Sequence, residues 1–323
     1  MISALRATAP GPYVTIQDVG RRGWRRFGVS TSGAMDYPAL VSANLLVGNP
    51  ADTPCLEFGQ IGGAWEVAAE SCRIAVTGGK FTVSADGRPL ASWRSHTLRR
   101  GQRLVLQNAR DAVWGYLAVA GGFDLEQQLG SCAVHVRSGL GGRRLAEGDV
   151  LSLRADRPED GPERVMDAPS RDTGPIRILL GPQDDYFTPE TIADFLSAAW
   201  RVSHRSDRMG TWIEGPPVRH ANGYNVVSDG LVPGCIQVLG SGQPVVLAMD
   251  CQTIGGYPKL ATIITADLPR FTQTPPGRSI HFTAVDIDAA QALYRLHSAS
   301  IDALSDCVAE IAAAVTRPFW LRG

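Results

Sequence analysis

The chain has 323 residues, of which 44% are hydrophobic and 20% are charged. This length and composition predict one large or two ordinary globular domains and exclude disordered and collagen-like classes. Thirty-one basic residues balance 32 acidic ones, so we expect neither a nucleic-acid nor a membrane-surface partner. No apolar run approaches the roughly 20 residues of a membrane-spanning helix, and the first residues lack the apolar core of a secretory signal. We therefore expect a cytoplasmic protein.

The first part of the chain, residues 1–153, is predicted to be β-rich with one early helix. Asp36 is suited to cap a helix that runs to Val47, and Gly48 with Asn49 suits its left-handed exit. Beyond this helix, apolar runs that are cut by Gly, Asp or Asn predict strands. Two of them are 103–107 and 114–122.

Residues 154–175 are predicted to be a linker. The stretch is dense in Asp, Arg, Pro and Gly, and only Val165 and Met166 are sizeable apolar residues. A segment of this composition is not expected to bury a face against the rest of the protein.

Residues 176–287 are predicted to form a second β-rich half. Thr188 and Pro189 open a helix in it, because Ile192 and Phe195 follow at helical spacing. Short apolar runs predict five strands, at 176–180, 235–240, 244–250, 261–268 and 279–285. Many short strands without long helices between them argue against a parallel βαβ sheet. The predicted fold is mainly β, with two barrel-like halves.

A C-terminal helical segment is predicted at 288–316. Its apolar residues fall on one stripe before Pro318 ends the helix; they are Leu293, Leu296, Leu304, Val308, Ile311 and Val315. A break near 298–300 would divide this helix in two.

The usual signatures of metal, nucleotide and covalent chemistry are absent from the sequence. Six cysteines form no CxxC pair, which indicates reduced and mostly buried thiols. Walker A, Rossmann, GxSxG and HExxH patterns do not occur, and the six histidines form no ligand-spaced set. Cys251 is a conceivable nucleophile, but a buried thiol at a strand end is the favoured interpretation. We expect no metal site.

Lysine is rare, since only Lys80 and Lys259 of the 31 basic residues are lysines. Arginine cannot lose its proton at accessible pH, so lysine is expected where a compact, deprotonable ammonium is needed. In the QTIGGYPK segment that ends at Lys259, Gln252, Thr253 and Tyr257 offer further donors, and two glycines let the backbone approach a ligand. This segment is the best candidate for a chemical site. The alternative is a hairpin whose polar residues face water.

Two more polar segments are candidate ligand sites. In SDRMG (206–210), Asp207 and Arg208 can position an amide or carboxylate by charge-assisted hydrogen bonds, or form a solvated surface pair. In TIQDVGRRGWRRFGVSTSGAMD (15–36), charged residues lie among four glycines, which suits an anion-binding loop or a solvated face. These charged residues are Asp18, Arg21, Arg22, Arg25, Arg26 and Asp36.

Taken together, these segments resemble the family that contains KipA, the C subunit of 5-oxoprolinase and the first half of the carboxyltransferase domain of urea carboxylase. The similar stretches run in order from about residue 10 to 285, and they are 15–36, 44–50, 56–58, 114–124, 206–210, 234–268 and 275–282. The resemblance implies a cyclophilin-like β-barrel architecture. It also implies an ATP-dependent hydrolase that cleaves the lactam of 5-oxo-L-proline to L-glutamate and is active only with a B-type (KipI-like) and an A-type subunit.

The resemblance also implies roles for individual residues. The expected catalytic residues are Lys259, Asp207 and Arg208, and the expected substrate-binding residues are Gln252, Thr253, Tyr257, Asp18, Arg21 and Asp36. The cations would stabilise negative charge on oxygen, and the carboxylate of Asp207 would orient water or the substrate nitrogen. ATP would bind at the level of the complex, in this or another subunit. The chain departs from the family's usual pattern at Cys251, where Arg is usual, and in the loop 132–144.

Two other functions are compatible with the same resemblance. One is the carboxyltransferase subunit of a biotin-dependent urea or amide carboxylase; this chain has no AMKM-like biotin attachment motif, so biotin would be carried by another protein. The other is a KipA-like, non-enzymatic antagonist of a histidine-kinase inhibitor. Binding of a B-type partner without turnover of 5-oxoproline would indicate the second of these.

Overall fold

The computed structural model of the protein describes residues 3–154 and 162–311. Within the first range the chain forms eleven strands and one α-helix. They are β1 (Ala4–Pro10), β2 (Val14–Gln17), α1 (Tyr37–Val47), β3 (Cys55–Gly59), β4 (Gly63–Val67), β5 (Ser71–Thr77), β6 (Val83–Ala85), β7 (Arg88–Leu90), β8 (Ser95–Arg99), β9 (Arg103–Leu106), β10 (Trp114–Val119) and β11 (Val150–Ser152).

Two facing sheets form the N-terminal half. One has the strand order β11-β1-β4-β9-β6-β7 and the other β2-β3-β10-β5-β8. Alternate side chains of β10 lie on opposite faces of the second sheet. Leu117 and Val119 join the core between the sheets, whereas Tyr116 and Ala118 pack with residues of α1. This sheet is therefore covered on both faces, which explains why β10 is a continuous apolar run.

Helix α1 begins and ends where the sequence predicts. Asp36 Oδ1 accepts a hydrogen bond from the Ala39 N–H at 3.1 Å. Gly48 ends the helix with φ of 81°, a left-handed conformation that glycine adopts without strain. The prediction for this helix is confirmed.

Residues 162–311 form twelve further strands and three α-helices. They are β12 (Glu163–Val165), β13 (Ile176–Leu180), α2 (Pro189–Ser197), β14 (Trp200–Ser206), β15 (Gly210–Glu214), β16 (Asp229–Gly230), β17 (Cys235–Val238), β18 (Pro244–Leu247), β19 (Ile254–Gly255), β20 (Lys259–Ile263), α3 (Leu268–Thr272), β21 (Ser279–Ile280), β22 (Phe282–Ala284), α4 (Ile287–Asp302) and β23 (Ala309–Ile311). None of the helices in the described ranges is long and apolar enough to cross a membrane.

The C-terminal half is dominated by an eight-stranded sheet of order β21-β14-β15-β18-β17-β20-β13-β22. Its two edge strands are separated in the chain by His281 alone, so the sheet nearly closes into a barrel. Trp200 and Phe282 each pack on the ring of Phe195 inside it, with ring centroids about 5 Å apart. The mainly β fold class is confirmed, and each of the five strand predictions for this half overlaps an observed strand.

The predicted linker 154–175 contains structure that its composition does not predict. Strand β12 pairs with β23, and Met166 is buried. Arg94 of the N-terminal half forms a 2.6 Å ion pair with Glu163. The expectation that the stretch buries no face is therefore wrong for residues 163–166. Its composition does not indicate this packing, because the strand and the arginine that contact these residues lie far away in the sequence. Residues 155–161 lie outside the described residues.

The C-terminal helix is shorter than predicted. Helix α4 ends at Asp302 and a 3-10 helix follows at Ala303–Cys307, so the break lies beyond the predicted 298–300. Val308 follows the 3-10 helix, and Ile311 is part of β23, which the ladder with β12 holds extended. Leu296 is exposed rather than buried on the predicted stripe. Val315 lies outside the described residues.

Substitution of Gly115 by alanine should destabilise the N-terminal half. A Cβ at this position would lie 2.2 Å from Phe58 Cζ, and Phe58 is fully buried, so the ring must move within a packed core. We expect a loss of about 1–3 kcal/mol in the free energy of unfolding, measured by urea titration. The control is Gly230→Ala, whose added Cβ meets no atom within 4 Å and should change stability by less than about 0.5 kcal/mol. Equal midpoints for the two variants would contradict the packing described.

Candidate functional site

The SDRMG segment forms the tight turn between β14 and β15. Asp207 Oδ1 accepts hydrogen bonds from the backbone N–H groups of Met209 at 2.7 Å and Gly210 at 3.2 Å. Asp207 faces solvent, whereas the next residue, Arg208, is buried. The turn therefore presents the two side chains to different surroundings, and the catalytic role of Asp207 stays a prediction.

Arg208 lies between the two halves and is 1% exposed. Its Nε and Nη2 donate to the two carboxylate oxygens of Asp250 at 2.9 and 2.8 Å. Nη1 donates to Glu57, and Nη2 also donates to the carbonyl of Gly33 at 2.6 Å and to Gln17 Oε1 at 3.2 Å. Three of these four acceptor residues belong to the N-terminal half, so one guanidinium joins both halves.

The carboxylates around Arg208 keep it charged. Burial lowers its pKa, but Asp250 and Glu57 more than offset this effect, and the pKa lies above its ordinary value. Burial raises the pKa of Glu57 against the opposing effect of Arg208. Because all three guanidinium nitrogens are bonded to protein acceptors, the contacts favour a structural role for Arg208. Its predicted catalytic role stays a prediction.

Asp18 and Arg21 fasten the glycine-rich loop to the segment around Ser131. Asp18 accepts hydrogen bonds from the Ser131 hydroxyl at 2.6 Å and from the Cys132 N–H at 2.7 Å. The fully buried Arg21 donates from Nε to the carbonyl of Gln128 at 3.1 Å, and burial lowers its pKa. These contacts hold the loop against the segment around Ser131, while a substrate-binding role for both residues stays a prediction.

Two cavities lie beside helix α4, where the halves meet. The larger has a volume of about 650 Å³, and its charged and imidazole side chains are Asp36, Asp111, Arg171, Asp172, Arg177, Asp267, Arg270 and His297. The smaller has a volume of about 380 Å³ and includes Asp18 and Arg22. His297 and Ile301 of α4 line both. Pockets of this size commonly hold small ligands.

The polar groups of the larger cavity are mostly paired with each other. Asp36 Oδ2 accepts from Arg171 Nη2 at 3.3 Å, and burial raises the pKa of Asp36. Arg177 and Arg270 both donate to Asp267. His297 titrates below its ordinary pKa because it is partly buried, which favours a neutral imidazole at pH 7. The cavity thus suits a small polar molecule rather than a strong anion.

No sequence motif marks most of the residues that line the larger cavity. Arg171 falls in the predicted linker, and Arg177 and Arg270 occur at positions without any motif. His297 is not marked either, because the histidines show no ligand spacing. Of the charged residues that the sequence singles out, Asp36 lines the larger cavity, and Asp18 and Arg22 line the smaller one.

Lys259 occupies a different site, at the start of β20. Its ammonium donates to Asp229 Oδ2 at 2.5 Å and to the carbonyl of Gly230 at 2.8 Å. Gln183 completes the group, since its Nε2 donates to Asp229 at 3.0 Å and its Oε1 accepts from the Lys259 backbone N–H at 3.1 Å. The bond from Lys259 holds the pKa of Asp229 at about 2. Lys259 is buried, but half of the Asp229 side chain is exposed.

The other polar residues of QTIGGYPK anchor the segment mainly through their backbone. The Thr253 carbonyl accepts from the Leu231 N–H at 2.9 Å, and the Tyr257 carbonyl accepts from Gln237 Nε2 at 3.1 Å. The side chains of Gln252 and Tyr257 are exposed. They therefore remain accessible to a ligand or a partner protein.

Cys251, next to this segment, is fully buried. Burial raises the pKa of its thiol to about 11, so the unreactive thiol form prevails at neutral pH. In the parts of the chain that the structure describes, no three His, Cys, Asp or Glu side chains are grouped to hold a metal ion.

Comparison with known proteins gives this architecture a family. Residues 27–284 match the model described as carboxyltransferase domain, subdomain A and B, and the chain belongs to this family. The chain is 37% identical over 300 residues to the 5-oxoprolinase C subunit of Escherichia coli (strain K12), covering 90% of this chain and 93% of the relative. It is 35% identical to the protein of the same name from Haemophilus influenzae, covering 92% and 96%. The predicted resemblance is confirmed.

Among solved structures, the chain is similar to the urea amidolyase of K. lactis. The two share a TM-score of 0.85 and 28% identity over 94% of this chain. The match covers only 20% of the longer amidolyase chain, so this fold occurs there beside other parts of a much larger polypeptide.

Replacement of Arg208 by methionine should strongly destabilise the protein. The variant leaves the carboxylates of Glu57 and Asp250 buried without their cation, which costs about 3–5 kcal/mol. Urea unfolding measures the loss. The matched control is Arg201→Met on the same hairpin, because Arg201 is mostly exposed and should change stability by less than about 0.5 kcal/mol. A small loss in Arg208→Met would show that the halves do not depend on this residue.

Replacement of Lys259 by methionine should raise the pKa of Asp229 from about 2 toward its ordinary value of 3.8. The ammonium is the largest cause of the low value, and methionine has a similar length without charge. A carboxyl-carbon NMR titration of Asp229 measures the change. Lys80→Met is the control, because Lys80 is exposed and belongs to the N-terminal half. This substitution should leave the titration of Asp229 unchanged. An unaltered Asp229 in Lys259→Met would disprove the pairing.

Proposed function

We propose that the chain is the C subunit of an ATP-dependent 5-oxoprolinase that hydrolyses 5-oxo-L-proline to L-glutamate. The observation that carries this proposal is the similarity to the E. coli protein of that name, which extends over 90% of this chain and 93% of the relative. A similarity that covers nearly all of both chains supports a shared role better than a similarity that is limited to one domain. In this proposal the chain acts with an A-type and a B-type subunit.

The reaction needs activation of an unreactive bond. Amide resonance protects the lactam carbonyl from water, and transfer of a phosphoryl group from ATP to the carbonyl oxygen would produce a good leaving group and an electrophilic carbon. Water would then add to that carbon, and the ring C–N bond would break as the nitrogen takes up a proton, which leaves an acyl phosphate. A second water molecule would hydrolyse this acyl phosphate to glutamate and inorganic phosphate. Cations placed at the oxygen would stabilise the charge that develops there. ATP is held by this subunit or by another subunit of the complex.

Lys259 is the best candidate in this chain for that cation. Its ammonium is held by Asp229 Oδ2 and the Gly230 carbonyl, and Asp229 is open to solvent on one side. A substrate or phosphoryl oxygen that displaced Asp229 would meet a desolvated ammonium, where an electrostatic interaction is stronger than in water. Arg208 is less suited, because its guanidinium nitrogens are already bonded to protein acceptors.

The cavity beside α4 is the second candidate for the substrate. Its volume of about 650 Å³ exceeds what a small lactam requires, and its paired arginines and neutral His297 offer donors and acceptors without a large net charge. Binding there and chemistry at Lys259 are separate proposals, which substitutions at His297 and at Lys259 distinguish.

The reconstituted complex provides the test. ATP-dependent release of glutamate from 5-oxo-L-proline should require this chain, and Lys259→Met should reduce the rate at least 100-fold while Lys80→Met leaves it unchanged. His297→Ala should raise the KM if the cavity holds the substrate. Release of glutamate at the same rate without this chain would contradict the proposed function, whereas full activity of Lys259→Met would remove only Lys259 from the mechanism.

A carboxyltransferase for urea or a related amide is the second candidate function. The structural similarity to K. lactis urea amidolyase over 94% of this chain favours it. In this case the partner proteins would supply biotin, because the chain has no AMKM-like motif. Inhibition of turnover by avidin would support this function, and glutamate release insensitive to avidin would support the 5-oxoprolinase.

A further inference from the structure

Seven large apolar side chains are exposed on three neighbouring segments, 24–27, 224–232 and 254–257. They are Trp24, Phe27, Tyr224, Val227, Val232, Ile254 and Tyr257. Val227 is 92% exposed, and Phe27 and Ile254 are each more than half exposed. We call this surface the loop patch. Single exposed apolar residues are ordinary, but a cluster of them on one surface marks an interaction site.

Direct contacts make the loop patch continuous. Arg25 Nη2 donates to the carbonyl of Leu231 and, at 3.4 Å, to that of Gln252. Strands β16 and β19 pair Asp229 with Gly255, and the Val226 N–H donates to the Gly256 carbonyl at 2.9 Å. The three segments therefore lie side by side, although Arg25 and Gln252 are 227 positions apart in the chain.

The middle segment belongs to an unusually long connection. Between β15, which ends at Glu214, and β17, which begins at Cys235, the structure has only the two-residue strand β16. Connections longer than about 12–15 residues with little regular structure are uncommon and usually functional. The patch is also rich in aromatic residues and has an arginine, Arg26, stacked on Phe27, a composition typical of the centre of protein interfaces.

The charge of the loop patch selects the kind of partner. Arg22, Arg25 and Arg26 lie in or beside its first segment, and Asp229 is the single acidic residue in the three segments. Lys259 neutralises Asp229, so the surface is positive. Two copies of this surface would repel each other, which argues against self-association. A partner with an apolar centre and carboxylates at its rim is complementary to it.

We propose that the loop patch is the docking surface for another subunit of the complex, one whose contact surface is apolar at its centre and acidic at its rim. The partner would cover Asp229 and the buried ammonium of Lys259 behind it. The candidate catalytic site would then be completed only at the subunit interface. This site is separate from the two cavities beside α4, neither of which Lys259 lines. The proposal rests on the proposed function, since it takes the partner from that complex.

Charge insertion in the loop patch tests the proposal. In Val227→Glu and Ile254→Glu, a carboxylate would have to be buried in the apolar centre of the interface, and we expect at least a tenfold weaker affinity for the partner subunits, measured by analytical gel filtration and surface plasmon resonance. Arg26→Glu should weaken binding most at low ionic strength. Leu296→Glu is the control, because Leu296 is 68% exposed on α4, and it should bind like the wild type.

The outcomes separate this inference from the proposed function. If the wild type forms the complex and releases glutamate, but the patch variants bind equally well, the docking surface lies elsewhere and the proposed function stands. If the wild type binds no partner subunit, the proposed function fails and the docking surface fails with it. Hydrogen exchange gives an independent readout, since complex formation should protect 224–232 and 252–257. Exchange that is unchanged there while the complex forms would overturn the proposal even if a variant proved unstable.

Discussion

The buried guanidinium of Arg208 is the interaction on which the arrangement of the two halves depends. Removing a charge from water is costly unless every part of it is paired, and here Glu57, Asp250, Gln17 and the Gly33 carbonyl supply that pairing. Because Glu57 also accepts from the Met35 N–H and the Tyr116 hydroxyl, the same network fixes the chain just before α1. The halves therefore have one relative position that satisfies all of these groups.

The Arg208 network also fixes the position of the chain that leads to the candidate chemical site. Asp250 lies two residues before the segment that ends at Lys259, and its backbone N–H donates to the Arg208 carbonyl at 2.7 Å. Ser30 of the glycine-rich loop donates to the Cys251 carbonyl at 2.7 Å, which brings that loop against the same segment. The loop patch is thus assembled on a rigid base, as a preorganised interface requires.

The sequence is sufficient to predict a helix or strand when the residues that determine it are close together in the chain. Asp36 and Gly48 predict α1 because a capping side chain and a left-handed glycine act within a few residues, and short apolar runs predict the strands. The role of Arg208 could not be read in the same way, since its acceptors Gln17 and Glu57 lie 191 and 151 positions away. The same limit applies to β12, whose partner strand is at the far end of the described chain, and to the arginines of the cavity, which no motif marks.

The rarity of lysine indicates a site but does not by itself assign its role. At position 259 the ammonium has two acceptors, Asp229 Oδ2 and the Gly230 carbonyl, and the side chain is 3% exposed. A guanidinium would bring five N–H donors into the same space, and several of them would be buried without partners, which is unfavourable. Packing alone therefore accounts for lysine rather than arginine here. A chemical role for Lys259 therefore depends on Asp229. Its side chain is half exposed, so a ligand can replace its contact with the ammonium.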